Sequence, residues 1–291
     1  MNQKFLIICI NYFNDQETVD FVNKLLLQEG DINLEIIVVD NSISINKNES
    51  IRKQIDRSNS VATYIPEKNL GYFGGAFWAY NRYLKEKSIP DWVIVCNTDI
   101  DIEDKNFFDK MALYNMMKNL GVIAPSIIST KTGLYQNPFL LKRPSILQMY
   151  SYNKFLEHYY TAVIYILIGI IKKKFKGFLN KLKSKLKSKK KIYSDVIDIY
   201  APHGSFIIFN RRYFENGGTL QHGVFLFGEE IFVAETVCKI GLKVMYIPTL
   251  CIIHNEHSTT GVFKSYKMVK YAKEAAQYCC SLIESTEKTN C

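Results

Sequence analysis

The sequence predicts an α/β fold with a mostly parallel central sheet flanked by helices, and three observations lead to this prediction. Short runs rich in Val and Ile alternate with amphipathic helical stretches through the first 100 residues. These runs are apolar along almost their whole length, as strands are when helices bury both faces of a parallel sheet. The chain of 291 residues is 47% hydrophobic and 13% aromatic, which is enough to bury a substantial core.

The N-terminal elements alternate between strand and helix. The run 5–10 predicts the first strand, and Asn14 with Glu17 three residues later predicts the cap of the first helix. The glycine-rich stretch 71–75 opens a later helix. Further strands are predicted at residues 34–39, 61–65 and 92–96.

Polar residues follow three of these predicted strands. Asn11 follows the first, Asp40 the second, and the run 97–101 follows the fourth. Open parallel sheets bind their ligands outside the carboxyl ends of the strands. We therefore expect these polar residues to meet at one edge of the sheet.

A basic segment interrupts the globular pattern between residues 151 and 194. The 13 residues 159–171 carry no charge, and residues 172–191 carry eleven lysines and no acid, although the net charge of the chain is only +9. As a helix, the uncharged part would span about 20 Å, which is less than the roughly 30 Å of a hydrocarbon core. An apolar anchor beside a polybasic amphipathic stretch is typical of a helix lying on an anionic membrane surface.

Two other interpretations of this segment are open. A core helix followed by a solvated charged face would give the same composition. A nucleic-acid partner is not expected, because no recognisable nucleic-acid-binding fold accompanies the lysines.

The globular pattern resumes after this segment. A helix is predicted within 225–241, and the tail beyond residue 258 has a helical pattern. Strand-like runs occur at 205–209, at 244–247, which is expected to end at Pro248, and at 251–253, which leads into His254.

The cysteines and the N-terminus indicate the compartment. Seven cysteines are irregularly spaced and form no CxxC pair, so we expect reduced thiols and no structural zinc. The apolar run 5–10 is short and lacks a small-residue cleavage site, which argues against a secretory signal. We therefore expect a cytoplasmic protein, peripheral at the inner face of the cell membrane.

Closely spaced carboxylates in Asn97-Thr98-Asp99-Ile100-Asp101 follow a predicted buried strand. Mg²⁺ and Mn²⁺ prefer oxygen ligands, and a divalent ion there could bridge a diphosphate and offset the charge that develops as it leaves. An ordinary acidic turn or helix cap is the alternative.

The glycine-rich run 69–75 opens a predicted helix, where backbone N–H groups can approach a phosphate or a sugar. The run is not GxGxxG and lacks the Lys-Ser/Thr of a P-loop, so nicotinamide and ATP sites are disfavoured. A simple loop is the alternative.

Two further patterns favour a polar site. Glu229 and Glu230 are adjacent carboxylates after an apolar run, where desolvation could make one a general base; the acidic first turn of a helix is the alternative. His254 could complete a metal shell or contact phosphate, although a lone histidine is usually structural. His203 is a weaker candidate of the same kind.

Six segments in this order resemble the motifs of family 2 glycosyltransferases, particularly bacterial rhamnosyltransferase-like members that act in capsule and O-antigen assembly. Each segment is a weak signal alone, and the shared order and spacing carry the resemblance. The segments are 10–14, 38–42, 69–75, 96–99, 225–230 and His254.

The resemblance implies a GT-A-type fold, the nucleotide-diphospho-sugar transferase fold. It also implies positions for the donor-binding residues. Asn11, Tyr12 and Asp40 would lie near the nucleotide base and ribose, and Asn69 and Gly71 near the rest of the donor.

The resemblance further implies the metal and the base. Asn97 and Asp99 would form the metal motif for Mg²⁺ or Mn²⁺, with His254 near the metal and the phosphates. A second register of the motif, Asp99-x-Asp101, adds Asp101 as a ligand. Glu230 would take the place of the catalytic base.

The implied function is inverting transfer of a sugar from a nucleotide-diphosphate donor to a hydroxyl of a glycan acceptor, which the basic segment suggests is lipid-linked. The donor stays open between dTDP-rhamnose, UDP-galactose, UDP-glucose and UDP-galactofuranose. The expected organisation is a nucleotide-sugar-binding half at 1–150, the membrane-associating insertion at 151–194, an acceptor and catalytic half at 195–262, and a C-terminal helix and tail at 263–291.

Two alternatives come from other functional classes. A sugar nucleotidyltransferase shares this type of fold, but it needs a basic glycine-rich loop that residues 11–15 do not provide. A non-catalytic carbohydrate- or membrane-binding protein would retain the fold without the reaction.

Overall fold

The computed structural model describes residues 3–28, 32–43, 55, 58–162, 164, 194–256 and 265–287. The predicted lysine-rich run 172–191, and most of the uncharged stretch before it, lie outside these residues.

Four parallel strands form one half of the sheet, in the order β3-β2-β1-β4. Their positions confirm the four strands predicted in the N-terminal part. They are β1 (Lys4–Asn11), β2 (Asn33–Asp40), β3 (Val61–Tyr64) and β4 (Trp92–Cys96).

The other half of the sheet is mixed, and it continues from β4 in the order β8-β6-β9-β5, with β7 pairing with β9. The predicted α/β class is confirmed, but parallel pairing is confined to the first four strands and the β6–β9 pair. Because β8 lies antiparallel between β4 and β6, the residues after the basic segment complete the same sheet. The strands are β5 (Ile100–Asp101), β6 (Leu120–Ser129), β7 (Ile197–Ile199), β8 (Phe206–Asn210) and β9 (Lys243–His254).

Helices cover both faces of this sheet, which explains why its strands are apolar throughout. Side chains alternate between the two faces along a strand, so Phe5, Ile7 and Cys9 of β1 enter one core and Leu6 and Ile8 the other. The helices are α1 (Asp15–Leu26), α2 (Tyr72–Leu84), α3 (Phe107–Ala112), α4 (Ile146–Leu156), α5 (Arg211–Glu215), α6 (Glu229–Lys239) and α7 (Tyr266–Glu287).

Strand β9 corrects one predicted boundary, because it runs through Pro248 instead of ending there. Its pairing with β6 shifts at this point: Pro125 lies opposite Ile247, whereas Ser126 lies opposite Cys251. Proline cannot donate a ladder hydrogen bond, and strands accommodate it at bulges. The bulge lets the strand continue to His254.

Helix α7 packs against both α4 and α6. An ion pair between the partly exposed Arg143 and the buried Glu235 fixes this corner. The Arg143 guanidinium donates to the Glu235 carboxylate from Nε at 2.8 Å and from Nη2 at 2.7 Å. Arg143 also donates to the carbonyl of Ile283 on α7, and Thr286 and Tyr200 donate to Glu235. Helix α6 is therefore connected to the C-terminal helix through Glu235.

Two findings bear on the predicted compartment. None of the described helices has both the length and the apolar composition needed to cross a bilayer. Cys238 is disulfide-bonded, so the expectation of reduced thiols is wrong at this residue. The free thiols among the described residues are those of Cys9, Cys96, Cys251, Cys279 and Cys280.

Candidate active site

A cavity of about 590 Å³ opens at the carboxyl ends of the parallel strands. It lies between the β1, β2 and β4 ends, the start of α6 and the N-terminal turn of α7. Seven of the ten predicted site residues line it: Tyr12, Asn69, Gly71, Asn97, Asp99, Glu230 and His254. The other three, Asn11, Asp40 and Asp101, do not.

Asn11 and Asp40 lie beneath the cavity instead of lining it. Both are buried, and the Asn11 amide donates to the Asp40 carboxylate at 3.0 Å. The same Asp40 oxygen accepts the backbone N–H of Ser42 at 3.0 Å. In this structure the two residues join the ends of β1 and β2.

Asn41, for which no role was predicted, lines the cavity instead. Its amide donates to the carbonyl of Gly71 at 2.8 Å and accepts the backbone N–H of Leu70 at 3.3 Å. Asn41 thereby holds the glycine-rich loop at the rim. The Asp40-Asn41-Ser42 run was visible in the sequence, but the direction of each side chain at a strand end was not.

Gly71 has a physical reason to be glycine. Its φ of +76° lies in the left-handed region, and an added Cβ would lie 2.0 Å from the carbonyl oxygen of Phe225. The glycine-rich loop and the segment before α6 therefore lie so close together that a side chain at position 71 would clash with the backbone.

Asp99 and His254 meet across the cavity floor, with Asp99 Oδ2 lying 3.2 Å from His254 Nε2. Both are nearly buried, at 9% and 7% exposure. The other carboxylate oxygen, Asp99 Oδ1, is buried and has no hydrogen-bond partner among the described residues. A buried carboxylate oxygen without a partner costs free energy unless a cation or a ligand satisfies it.

Asp101 is directed away from this pair. It lies in β5 opposite Ile253, and its carboxylate is 2.5 Å from the Lys24 ammonium of α1. The predicted role of Asp101 as a metal ligand is not supported by this position. Between the two predicted registers of the motif, the geometry therefore favours Asn97-x-Asp99.

Glu229 and Glu230 both reach the cavity from the first turn of α6, which begins after Gly228 at φ +83°. Glu229 is buried, and its carboxylate accepts the backbone N–H of Phe227 at 3.0 Å. Glu230 is half-buried and lies against Gly204.

The environment raises the pKa of both carboxyl groups. Burial, followed by the charge of Glu230, raises the pKa of Glu229 to about 8. Burial also raises the pKa of Glu230, against the opposing effect of backbone N–H groups, including that of Gly204. Because the charge of one carboxylate opposes ionisation of the other, the two groups titrate as a coupled pair.

The cavity has further lining residues beyond the ten main candidates. His203, the weaker candidate, lines the cavity with its ring centroid 5.9 Å from that of His254. Lys267 and Tyr271 of α7 also line it, and the Tyr271 ring packs on Phe225 at 4.8 Å. No motif marks these α7 positions, because the chain brings this helix to the cavity only through tertiary packing.

The residues present fit a divalent cation only in part. Within the described ranges, no three His, Cys, Asp or Glu side chains are grouped to hold a metal. Asp99 and His254 would supply two ligands, and two ligands of one octahedral ion lie about 3 Å apart at bond lengths of about 2.1 Å. Mg²⁺ and Mn²⁺ sites at substrate phosphates commonly use few protein ligands, and the orphaned Asp99 oxygen fits such a site.

No protein-family model matches the chain, and no curated protein matches it in sequence. Solved structures do match in fold. GalNAc-T7, crystallised with UDP, GalNAc and Mn²⁺, is 13% identical at a TM-score of 0.55, over 87% of this chain. The chain spans only 44% of that protein.

Two other structures give similar matches. The mannosyltransferase PcManGT from Pyrobaculum calidifontis, in complex with GDP-Man and Mn²⁺, is 11% identical at a TM-score of 0.53, over 99% of this chain and 76% of that one. S. aureus TarS 1-349 in complex with UDP-GlcNAc is 13% identical at a TM-score of 0.55, over 90% of this chain and 61% of that one. The chain therefore has the GT-A-type fold that the sequence predicted.

Proposed function

We propose that this protein is an inverting, metal-dependent glycosyltransferase that uses a nucleotide-diphosphate sugar. One observation carries the proposal. A single cavity at the ligand-binding edge of a GT-A-type sheet joins the Asp99–His254 pair to two carboxyl groups with raised pKa values. The solved structures with this fold include proteins crystallised with nucleotide sugars, which supports the same substrate class here.

The donor side of the cavity suits a nucleotide. Tyr12 presents a ring that is 46% exposed and can stack on a base, while Asn69 and Gly71 form the rim held by Asn41. Asn11 and Asp40 act from below by fixing the strand ends. We assign Asn97, Asp99 and His254 to the diphosphate end of the donor.

A Mg²⁺ or Mn²⁺ ion held by Asp99 and His254 would supply positive charge to the diphosphate as it leaves. The chain itself positions the carboxylates of Asp99 and Glu230 in one cavity and shields them from water. Enzymes that transfer groups from diphosphates owe most of their rate to such positioning and charge stabilisation.

Glu230 is the proposed general base. Burial raises the pKa of Glu229 to about 8, so we assign the proton of this coupled pair to Glu229 and the ionised carboxylate to Glu230. Glu230 takes the proton of the acceptor hydroxyl while that oxygen bonds to the anomeric carbon. The bond from this carbon to the diphosphate oxygen breaks on the opposite face, and the nucleoside diphosphate leaves with the electron pair.

The finer substrate assignment also belongs to the proposal. We propose a family 2, rhamnosyltransferase-like enzyme of bacterial surface polysaccharide assembly, with dTDP-rhamnose or a UDP-hexose as donor and a lipid-linked glycan as acceptor. The motif order quoted above supports this choice, and the basic segment supports a lipid-linked acceptor.

We also propose that the protein binds the anionic surface at the inner face of the cell membrane. Leu147 on α4 is 72% exposed, and Tyr160 and Ile164, within the uncharged stretch itself, are 80% and 55% exposed. Replacing the lysines of 172–191 with glutamine should abolish sedimentation with phosphatidylglycerol liposomes at low salt. Binding that survives this change, or equals binding to neutral phosphatidylcholine liposomes, would contradict the membrane assignment.

The test of the catalytic proposal is a pair of variants. Glu230→Gln should reduce transfer at least 100-fold while leaving donor affinity within about threefold, because the amide keeps the size of the side chain but cannot accept the proton. Asp99→Ala should weaken donor binding only when Mn²⁺ is present, as measured by calorimetry. Near-normal turnover in the first variant would remove Glu230 as the base, and unchanged affinity in the second would remove Asp99 from the site.

A further inference from the structure

A chain of hydrogen bonds runs from the loop after β6 to the cavity floor. His254 Nδ1 lies 2.7 Å from Gln136 Oε1, and Gln136 Nε2 donates to Glu256 Oε1 at 2.8 Å. Ser129 Oγ donates to the other Glu256 oxygen at 2.5 Å. At the opposite side of the imidazole, Nε2 lies 3.2 Å from Asp99.

The chemistry of these groups fixes the direction of every bond in the chain. A carboxylate only accepts hydrogen bonds, so Glu256 must face the amide NH₂ of Gln136. The Gln136 oxygen then faces His254 Nδ1, and a contact of 2.7 Å with an oxygen acceptor requires that Nδ1 carry the proton. In the neutral ring, Nε2 is consequently left with its lone pair directed at Asp99.

A lone pair facing a carboxylate oxygen at 3.2 Å is repulsive unless a proton or a metal cation lies between the two atoms. Metal-bound histidines commonly have this arrangement, in which a partner at the other ring nitrogen selects the tautomer. We propose that Gln136 and Glu256 are positioning residues that hold His254 in its Nδ1–H tautomer, so that Nε2 is available to a divalent cation at Asp99. This inference rests on the proposed function, because it concerns the metal of that site.

The backbone supports a dedicated role for Glu256. Its φ of +45° is uncommon for a residue with a side chain, and the bonds from Ser129 and Gln136 hold its carboxylate in place. Glu256 contacts neither Asp99 nor the cavity among the described contacts, and its side-chain path to the imidazole runs through Gln136.

Three variants of the full-length protein separate positioning from folding. Gln136→Leu removes both bonds of the amide, and Glu256→Ala frees the amide to rotate and present its NH₂ to His254. Glu256→Gln keeps an oxygen that can accept from Gln136 and serves as the conservative rescue. Thr132→Ala changes an exposed residue of the same loop and serves as the control.

The first readout is Mn²⁺ affinity, measured from the electron paramagnetic resonance signal of free Mn²⁺ with and without UDP or dTDP. Gln136→Leu and Glu256→Ala should each weaken binding about 10- to 100-fold, while Glu256→Gln and Thr132→Ala should stay within about threefold of the wild type.

The second readout is the tautomer itself, taken from long-range ¹H–¹⁵N correlations of the imidazole in the metal-free protein at alkaline pH, where the ring is neutral, with His254→Gln used to assign the signal. The wild type should show the Nδ1–H form, and Gln136→Leu and Glu256→Ala should show a mixture or the Nε2–H form.

The outcomes distinguish this inference from the proposed function. Normal Mn²⁺ affinity in both Gln136→Leu and Glu256→Ala, beside a wild type that binds Mn²⁺, overturns the positioning role alone. An Nε2–H tautomer in the wild type also overturns it. A wild type that binds no Mn²⁺ with either nucleotide overturns the metal site of the proposed function and this inference together.

Discussion

Gly204 offers a way to displace the proposed base without unfolding the protein. A Cβ added here would lie 2.8 Å from Glu230 Oε1 and 3.3 Å from Glu230 Cδ. Both atoms belong to the end of a flexible side chain, and the φ of Gly204 is not in the left-handed region. Gly204→Ala is therefore expected to shift the Glu230 carboxylate while the backbone stays in place.

The size of the effect follows from the contact. To reach ordinary van der Waals distance at 3.4 Å, the carboxylate oxygen must move by about 0.6 Å. A misplacement of about 1 Å at a reacting group can cost about 100-fold in rate. Scaled to the smaller shift, kcat should fall about 15-fold, which corresponds to about 1.6 kcal/mol of transition-state stabilisation.

Stability should respond very differently. Replacing glycine by alanine restricts the unfolded chain and stabilises by about 0.4–1 kcal/mol, which offsets the small cost of moving one side chain. The midpoint of thermal unfolding should therefore stay within about 3 °C of the wild type.

The assay is initial-rate transfer with saturating donor and Mn²⁺, beside a thermal scan of the same samples. Gly204→Ala in a Glu230→Gln background is the matched control, and it should add less than a twofold loss because the displaced group no longer acts as a base. A wild-type kcat in Gly204→Ala, or a full 15-fold loss on top of Glu230→Gln, would refute the reasoning.

Two further predictions concern stability. Burial lowers the pKa of His222 to about 4, against about 6.5 in the unfolded chain, so the unfolded state binds the proton first as pH falls. Between pH 7 and pH 5, the free energy of unfolding should therefore drop about 1–2 kcal/mol more in the wild type than in His222→Phe. Urea denaturation measures this difference, and equal pH dependence in the two proteins would contradict the prediction. Arg143→Met leaves the Glu235 carboxylate buried without its cation and should lower the free energy of unfolding by about 3–5 kcal/mol. Adding Glu235→Leu should recover at least half of that loss. A double variant as unstable as the single one would show that the ion pair is not the cause.

The strands could be predicted because burial of both faces of the sheet requires apolar residues at consecutive positions, and such runs are visible in the sequence. Residues 5–10 are apolar at every position, and the structure shows why: alternate side chains enter two different cores. The path of β9 through Pro248 could not be read in the same way, because a proline marks an interruption in sequence and only the pairing partner shows that the strand continues as a bulge.

The sequence predicted which residues belong to the site better than it predicted where their side chains point. Asp99 and His254 are distant in sequence, but the order of the motifs placed both at the metal site, and the structure shows them 3.2 Å apart. Asn11 and Asp40 were expected near the nucleotide base and ribose, and the structure places both beneath the cavity. At the end of a strand, a shift of one residue decides whether a side chain faces the ligand or the neighbouring strand. For Asp101, which lies in β5, the deciding partner was Lys24 on helix α1.

The central claim is that the cavity transfers a sugar from a nucleotide donor held through Asp99. The most direct measurement is Mn²⁺-dependent release of nucleoside diphosphate from a panel that includes dTDP-rhamnose, UDP-glucose, UDP-galactose, UDP-GlcNAc and GDP-Man. The account predicts release from at least one donor, its loss on chelation of the metal, and its loss in Asp99→Ala. Release from none of the donors, or equal release by wild type and Asp99→Ala, would contradict it.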